Sequence, residues 1–301
     1  ETRRERTTAL AAQTTGQGAV AIGTESGAIS LWRDHDAPPA ELTAHGAAVT
    51  ALDFGPHENQ LVSAGRDGRI VLWDVSSGLS VGGYDTEVRT VLALSGHSGT
   101  DTIACAGVGQ GPDGATVFLL DAATGAEKSR LHVSGGAHIM ALAFSPMAKC
   151  VAVGKSTGVI LIWDIGKDAE IAQLPGHSAG ILRGGLAWSA DGERLFSASW
   201  DGSLRVWDAR RGYREVATFQ VEGALAGVAF DLSKRRIALS GSSIATTWIR
   251  EAYSWTLSRE EVAESRQQRF LQEWNAHREQ ERKLAARTLD VLEIGNTESE
   301  R

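Results

Sequence analysis

Short runs of alternating apolar and polar residues recur along most of this chain. Residues 49–54 and 139–144 alternate with a period of two, which is typical of a strand with one buried face. A second kind of run ends in an aromatic residue, often followed by Asp, and a glycine-containing turn precedes it. Copies of it, one with Leu in the aromatic position, lie at residues 29–32, 70–74, 117–121, 160–164, 204–208 and 245–248. The pattern predicts a long succession of short antiparallel strands.

The second kind of run repeats at a spacing of ~40 to 45 residues, which is typical of repeat architectures. Each repeat predicts a four-stranded antiparallel sheet, and such a sheet is marginally stable alone because both of its faces are apolar. Sheets of this kind bury their faces by stacking radially. We therefore expect an all-β propeller over residues 1–257, with six recognisable blades. A seventh blade in sequence outside this chain stays open as an alternative.

Two of the repeats carry the same four side chains, with equal offsets from Ser to Asp to Trp. They are His45, Ser63, Asp67 and Trp73 in the second repeat, and His177, Ser197, Asp201 and Trp207 in the fifth. With these residues the chain resembles the WD-repeat family over residues ~7 to 257. A buried indole N–H needs an acceptor, which Ser supplies, and His bridges Ser to the Asp at the turn. We expect these residues to form a structural hydrogen-bond network.

The other repeats depart from this signature. Ile22 and Ser26 stand in the Ser and Asp positions of the first repeat, and Val153 and Thr157 stand there in the fourth. The third repeat has Cys105 in the Ser position, and the sixth is the most divergent. We expect these blades to depend on apolar packing.

Three motifs that suggest chemistry have a simpler explanation. Residues 109–114 match a dinucleotide-binding glycine pattern, but a strand follows them where that site needs a helix. Ser63 and Ser197 lie on apolar strands, without the exposed turn of a hydrolase nucleophile. The remaining histidines lack metal-ligand spacing. We therefore expect no catalytic residue, no cofactor and no metal site.

Candidate partner-binding residues lie in the turns between the second and third strands of the blades, because loops at the ends of a propeller vary while its strands stay alike. These residues are Glu25, Arg66, Lys155, Ser156 and Trp200. Trp200 occupies a polar turn, and Trp and Arg are frequent in binding hot spots. Packing of Trp200 against a neighbouring blade stays open as an alternative.

After residue 257 the composition changes. Ser258 and Glu261 form a capping box, and residues 258–292 contain no Gly or Pro, which predicts a long helix. Phe270 and Trp274 share one face of that helix and need a surface to bury against, either the propeller or another protein. Residues 293–301 are polar, and we expect them to be a disordered tail.

Charge and composition narrow the possible partners. A net charge of −7 argues against a nucleic-acid partner, because phosphate binding needs a basic surface. No apolar run approaches the length of a membrane span, and no signal peptide is recognisable. We expect a cytoplasmic or other intracellular protein. The chain does not begin with Met, so a targeting signal or a further domain in missing sequence stays possible.

The sequence as a whole predicts a non-catalytic scaffold or regulatory module that binds other proteins, or other domains of a longer chain, through loops at the ends of the propeller and the C-terminal helix. Part of that expectation comes from the resemblance in fold. A structural subunit of a large multiprotein assembly is an alternative. A small-molecule sensor or an enzyme that uses the central channel is a further one.

Overall fold

The protein is described here as a computed structural model. It describes residues 6–249, except 14–17, 34–36, 44, 56, 58, 87, 98–99, 109–114, 134–136, 222, 232–235 and 242–246. Within these ranges the chain is almost entirely β-structure, and consecutive strands pair antiparallel into six separate sheets. The only helix there is a single turn of 3-10 helix, Ala209–Arg211.

Each sheet is one blade of the propeller. Blade 1 contains β1 (Thr7–Ala12), β2 (Val20–Thr24), β3 (Ala28–Trp32) and β4 (Ala40–Thr43). Blade 2 contains β5 (Val49–Phe54), β6 (Gln60–Gly65), β7 (Arg69–Asp74) and β8 (Ser80–Asp85). Blade 3 contains β9 (Thr90–His97), β10 (Thr102–Val108), β11 (Ala115–Asp121) and β12 (Glu127–Val133).

The remaining blades follow in chain order. Blade 4 contains β13 (Ile139–Phe144), β14 (Cys150–Lys155), β15 (Ile160–Asp164) and β16 (Ala169–Leu174). Blade 5 contains β17 (Ile181–Trp188), β18 (Arg194–Ser199), β19 (Ser203–Asp208) and β20 (Arg214–Gln220). Blade 6 shows three strands in the described ranges, β21 (Leu225–Asp231), β22 (Arg236–Gly241) and β23 (Thr247–Ile249).

The first strand of each blade faces a central channel. Residues of β1, β5, β9, β13, β17 and β21 together line one cavity of about 900 Å³. Along the chain, each of these inner strands packs beside the inner strand of the next blade, from β1 and β5 through to β17 and β21. The expected fold, a propeller of four-stranded antiparallel blades, is therefore confirmed.

Neighbouring blades meet through one large and one small side chain. Val49 begins the inner strand of blade 2, is fully buried, and lies against Gly23 of blade 1. A Cβ atom built on Gly23 would come within 2.6 Å of Val49 Cγ1. Blades 4 and 5 repeat this contact, because Ile181 is fully buried against Gly154. Close approach of the blades therefore depends on a residue of minimal size in the second strand.

The position of Gly23 is small in every blade whose pairing is described. Its counterparts in blades 2 to 5 are Ala64, Ala106, Gly154 and Ala198. The position of Val49 is apolar in the same register. Its counterparts in the following blades, Val91, Ile139, Ile181 and Leu225, are all fully buried. Val91 shares a buried cluster with Ala64, and Ile139 shares one with Ala106. The repeat thus encodes apolar side chains that pack on a socket, a small residue in the second strand of the preceding blade.

One face of blade 1 is exposed, whereas the same face of blades 2, 4 and 5 is buried. Leu52, Leu142 and Leu186 occupy the same register position in blades 2, 4 and 5 and are 9%, 8% and 7% exposed. Leu10 occupies that position in blade 1 and is 63% exposed. Because successive side chains on a strand point to opposite faces, Leu10 points away from Ala9 and Ala11, which pack towards blade 2. In the described part of the chain, blade 1 therefore presents an uncovered apolar face on that side.

We predict that Gly23→Ala destabilises the propeller by about 1 to 3 kcal/mol, because the added methyl group overpacks the contact with Val49. Urea denaturation followed by tryptophan fluorescence measures the change. Gly46→Ala is the matched control, since a Cβ atom there would meet nothing within 4 Å. Equal midpoints for the two variants would refute the socket as the tight contact between blades.

Candidate functional site

The four signature residues of blade 2 lie in one hydrogen-bonded chain. The Trp73 indole N–H donates to Ser63 Oγ at 2.9 Å, and Ser63 Oγ lies 2.8 Å from His45 Nε2. His45 Nδ1 lies 3.1 Å from the Asp67 carboxylate. Because a carboxylate only accepts hydrogen bonds, the His45 proton is assigned to Nδ1 and the serine hydroxyl donates to Nε2. The chain ties β6, β7 and the segment before β5 together.

Blade 5 repeats this geometry and extends it. Trp207 Nε1 donates to Ser197 Oγ at 2.9 Å, Ser197 Oγ lies 2.7 Å from His177 Nε2, and His177 Nδ1 lies 3.1 Å from Asp201. The Ser203 hydroxyl donates a further hydrogen bond to Asp201. Burial opposes ionisation of Asp201, but hydrogen bonds from Ser203 and Ser178 outweigh it and lower its pKa to about 2. Burial also lowers the pKa of His177, so this histidine is neutral at pH 7.

Ser63 and Ser197 are fully buried. Each hydroxyl already contacts a histidine and a tryptophan, so neither is placed to attack a substrate. Blade 4 shows what happens without the serine. Val153 occupies the Ser position there, and the buried Trp163 indole N–H has no hydrogen-bond partner among the described residues. The networks therefore satisfy a donor that the repeat otherwise leaves unpaired.

The turns between second and third strands place the predicted binding residues at one end of the propeller, named here the turn end. Four of these residues are structurally equivalent, because each backbone N–H donates to a carbonyl just before the inner strand of its own blade. The pairs are Glu25 with Arg6, Arg66 with Ala48, Ser156 with His138, and Trp200 with Gly180. All four side chains are exposed. Equivalent backbone positions thus present an acid, a guanidinium, a hydroxyl and an indole.

Trp200 is 59% exposed, so most of its indole is accessible and not covered by a neighbouring blade. Lys155 is half-buried at the end of β14, one residue before Ser156. Glu25 and Arg66 line a cavity of about 340 Å³ at the mouth of the channel. The structure therefore groups Glu25 with Arg66 at the mouth, while Ser156 and Trp200 lie on the turns of other blades.

Arg183 lies at the same mouth and was not among the residues predicted from the sequence. Two residues separate Val49 from Leu52 in blade 2, whereas four separate the equivalent Ile181 and Leu186 in blade 5. The extra residues form a bulge in β17 with Arg183 in it, and Gly184 has a φ of 75°. From this bulge the Arg183 guanidinium donates to the backbone carbonyl of Thr50 in blade 2.

A sequence signal for Arg183 exists. In blades 2, 3 and 4, two residues separate the two aligned apolar positions of the inner strand, whereas in blade 5 four residues do, Leu182-Arg183-Gly184-Gly185. Aligning the inner strands, as well as the strands that end in Trp, would have shown the insertion. The Gly pair is the second part of the signal, because a Cβ atom on Gly185 would lie 2.7 Å from the Ala198 carbonyl oxygen.

Asp53 is a second ionisable group on the channel wall that the sequence did not single out. It lies on β5, and its carboxylate accepts a hydrogen bond of 2.7 Å from the backbone N–H of Gly96 on β9. Burial raises the pKa of Asp53 to about 6, although the backbone hydrogen bonds from Gly96 and Phe54 act in the opposite direction. The folded protein therefore holds a proton on Asp53 at pH values where an exposed aspartate is ionised.

Some predicted features lie outside the described residues. These are the helix at residues 258–292 with Phe270 and Trp274, the tail at residues 293–301, and the glycine-rich residues 109–114. Cys105 and Cys150 are both free thiols. Among the residues that the structure describes, no helix is long and apolar enough to cross a membrane. Within the same ranges, no cluster of three or more His, Cys, Asp and Glu side chains is placed to hold a metal ion.

The blades and their two polar networks define a class of protein. The family described as "WD domain, G-beta repeat" matches residues 37–74, 128–164 and 169–208. Two of these segments contain the complete networks of blades 2 and 5, and the segment 128–164 contains the first three strands of blade 4, with Trp163 on β15. The chain is a WD-repeat protein, as its resemblance to that family implied.

Curated relatives include other WD-repeat proteins. "Periodic tryptophan protein 2" of Arabidopsis thaliana is 30% identical over 67% of this chain and 22% of its own length. "Pre-mRNA-processing factor 19" of Oryza sativa subsp. japonica is 24% identical over 67% of this chain and 38% of its own length. "Guanine nucleotide-binding protein subunit beta" of the same plant is 24% identical over 63% of this chain and 52% of its own length. The chain thus spans between about a fifth and about half of these relatives.

We predict that Asp67→Ala and Asp201→Ala each lower the free energy of unfolding by about 1 to 3 kcal/mol, because buried hydrogen-bond donors lose their acceptor. Thermal and urea denaturation measure the loss. Asp85→Ala is the control, since Asp85 is exposed and its ion pair is with the exposed Arg69. The control is expected to stay within about 0.5 kcal/mol of the parent. A similar small effect at Asp67 and Asp201 would contradict a stabilising role for the networks.

We predict that Asp53→Asn stabilises the protein at pH 7.5 by about 1 to 3 kcal/mol. The pKa of this carboxyl group is 3.8 when it is unperturbed and about 6 in the folded state. The folded state therefore binds the proton more tightly, and Asp53 progressively destabilises the fold as the pH rises from about 4 to 6. Urea midpoints of both proteins at pH 7.5 and pH 4 measure this effect. A stability difference that does not shrink at pH 4 would overturn the assignment.

Proposed function

We propose that this chain is a non-catalytic protein-interaction module that binds its partner through the turn end. One observation carries the proposal: equivalent, exposed positions on blades 1, 2, 4 and 5 present the unlike side chains of Glu25, Arg66, Ser156 and Trp200. The packing beneath them repeats from blade to blade. A surface whose chemistry varies on a constant scaffold is typical of a recognition surface.

Trp200 and Arg66 are the proposed anchors. Both residue types are enriched among hot spots, where a large side chain transfers from water into a pocket of the partner. Covering Trp200 would bury apolar surface that the free protein leaves in water. Glu25, Lys155 and Ser156 supply polar contacts around these anchors. They fix orientation more than they add affinity.

Permanent membership of a multiprotein assembly is the second candidate. Its support is that one relative is, by its printed name, a subunit of a guanine nucleotide-binding protein. The same turn end would serve in both cases, so the candidates differ in the lifetime of the complex. An intracellular location is part of the proposal, because Cys105 and Cys150 are free thiols and Cys105 is fully buried.

We also propose that residues 258–292 form a helical second binding element. The support is in the sequence: a capping box at Ser258 and Glu261 is followed by charged residues and by the aromatic pair Phe270 and Trp274. Covering two aromatic side chains contributes several kcal/mol at ~25 cal/mol per Å² before ordering costs. The element binds either the propeller or the partner.

We predict that the double variant Trp200→Ala/Arg66→Ala loses most of its partner recovery, by about tenfold or more, with an unchanged melting temperature. The full chain is expressed with an affinity tag in its source cells, and the copurifying proteins are quantified by mass spectrometry. Met147→Ala is the matched control, because Met147 is 67% exposed in a turn at the opposite end of blade 4. Full recovery with the double variant would reject the turn end as the binding surface.

The same experiment separates the remaining candidates. A partner that survives washing at high salt in constant ratio supports permanent assembly, and one that is lost supports a transient regulatory contact. Deletion of the residues after Tyr253 tests the second element. A lower melting temperature of the truncated protein indicates that the helix docks on the propeller. Lost recovery of the partner at an unchanged melting temperature indicates that the helix docks on the partner. Truncation without either effect would refute the second element.

A further inference from the structure

The cavity at the turn-end mouth of the channel is strongly basic. Its lining includes three guanidinium side chains, Arg6, Arg66 and Arg183, and one carboxylate, Glu25. Its volume of about 340 Å³ suits a side chain or a small group better than a folded domain. The protein as a whole has a net charge of −7, so this local excess of positive charge runs against the overall balance.

Among the described residues, no carboxylate pairs with the guanidinium group of Arg66 or of Arg183. Arg183 makes one hydrogen bond, to the Thr50 carbonyl, and Arg66 makes no side-chain hydrogen bond or ion pair within the described ranges. Other arginines of the blades do pair with carboxylates. The pairs are Arg69 with Asp85, Arg130 with Glu127, Arg194 with Asp208, Arg205 with Glu215, and Arg210 with Glu193.

The position of Arg183 is unfavourable for a cation. Arg183 is half-buried, and burial together with the field of Arg66 lowers its pKa, although a guanidinium stays charged at neutral pH. Two like charges at the mouth of a partly enclosed cavity repel each other, and burying a charge without a counter-ion is unfavourable. An anion between them would relieve both penalties.

A purely structural role for Arg183 explains less. A hydrogen bond from blade 5 to the Thr50 carbonyl steadies the ring, but a neutral donor would serve for that. It leaves unexplained the two extra residues of the bulge, which bring the side chain to the mouth. It also leaves unexplained why Arg66, which has no side-chain partner among the described residues, lies at the same mouth. Bulges frequently re-aim a side chain at a functional site.

We infer that the mouth of the channel binds an oxyanion, a carboxylate or a phosphate, carried by an extended peptide segment of the partner. Arg183 keeps N–H donors beyond the one that contacts Thr50, and planar guanidinium groups pair with carboxylate or phosphate in bidentate geometry. That the anion belongs to a peptide rests on the proposed function. The anion site itself rests only on the arginine side chains at the mouth.

The test uses the purified 301-residue chain and dye-labelled octapeptides. The peptides are octaglutamate, octaglutamine, and octaglutamine with one central phosphoserine; a labelled DNA octamer is the fourth probe. Fluorescence anisotropy is measured at low ionic strength and again with added salt. We expect octaglutamate or the phosphopeptide to bind, octaglutamine not to bind, and added salt to weaken the binding.

Variants locate the site. Because Arg66 is exposed, we expect Arg66→Gln to leave the fold intact and to weaken binding of the anionic peptide about fivefold or more. Arg183→Lys keeps the charge but loses the planar fork, so we expect a smaller loss; Arg183→Gln is expected to lose as much as Arg66→Gln. Arg69→Gln is the control, because it removes the same charge from the outer part of blade 2.

Any of three results would overturn the inference. The first is that no anionic peptide binds at millimolar concentration, and the second is that Arg69→Gln weakens binding as much as Arg66→Gln. The third is that the DNA octamer binds more tightly than octaglutamate and the phosphopeptide, with the same dependence on the arginines. Failure of the proposed function looks different. In that case the anionic peptides still bind through Arg66 and Arg183, while the Trp200→Ala/Arg66→Ala variant retains its cellular partners in full.

Discussion

The architecture depends on one packing contact, which is repeated at the boundaries between consecutive blades. A fully buried aliphatic side chain at the start of an inner strand, such as Val49, sits on a Gly or Ala in the second strand of the preceding blade. A larger residue in the socket would force the sheets apart, and close packing between the two faces would be lost. Because an aliphatic residue lies at the start of the inner strand of blades 2 to 6 and small residues recur in the second strands of blades 1 to 5, the contact sets the spacing of consecutive blades.

The polar networks act within blades and complement this apolar contact. In blades 2 and 5 a chain from Trp through Ser and His to Asp satisfies groups that burial would otherwise leave unpaired. Blade 4 retains the tryptophan without the serine, and its Trp163 N–H is unpaired among the described residues. Apolar packing between blades is thus sufficient for the blade to form, and the network adds stability and holds the turn that follows.

Function in a repeat protein is expected where the repeat is broken, because whatever packing requires recurs in every blade. The turn end fits that expectation through Glu25, Arg66, Ser156 and Trp200, which differ at equivalent positions. The bulge in β17 is the second departure, and it brings Arg183 to the mouth of the channel. The charge at this mouth is opposite in sign to that of the chain as a whole. Both departures face the same end of the propeller.

The sequence by itself determined the strand succession, the antiparallel blades and the members of both networks, because these follow from a two-residue period and from fixed offsets within one repeat. Only the tertiary structure decided that Arg183 meets the Thr50 carbonyl, which is 133 residues away. It likewise decided that Leu10 is exposed while Leu52 is buried. The reason is physical: radial packing brings together residues from different repeats, and no local pattern encodes which distant strands share a channel.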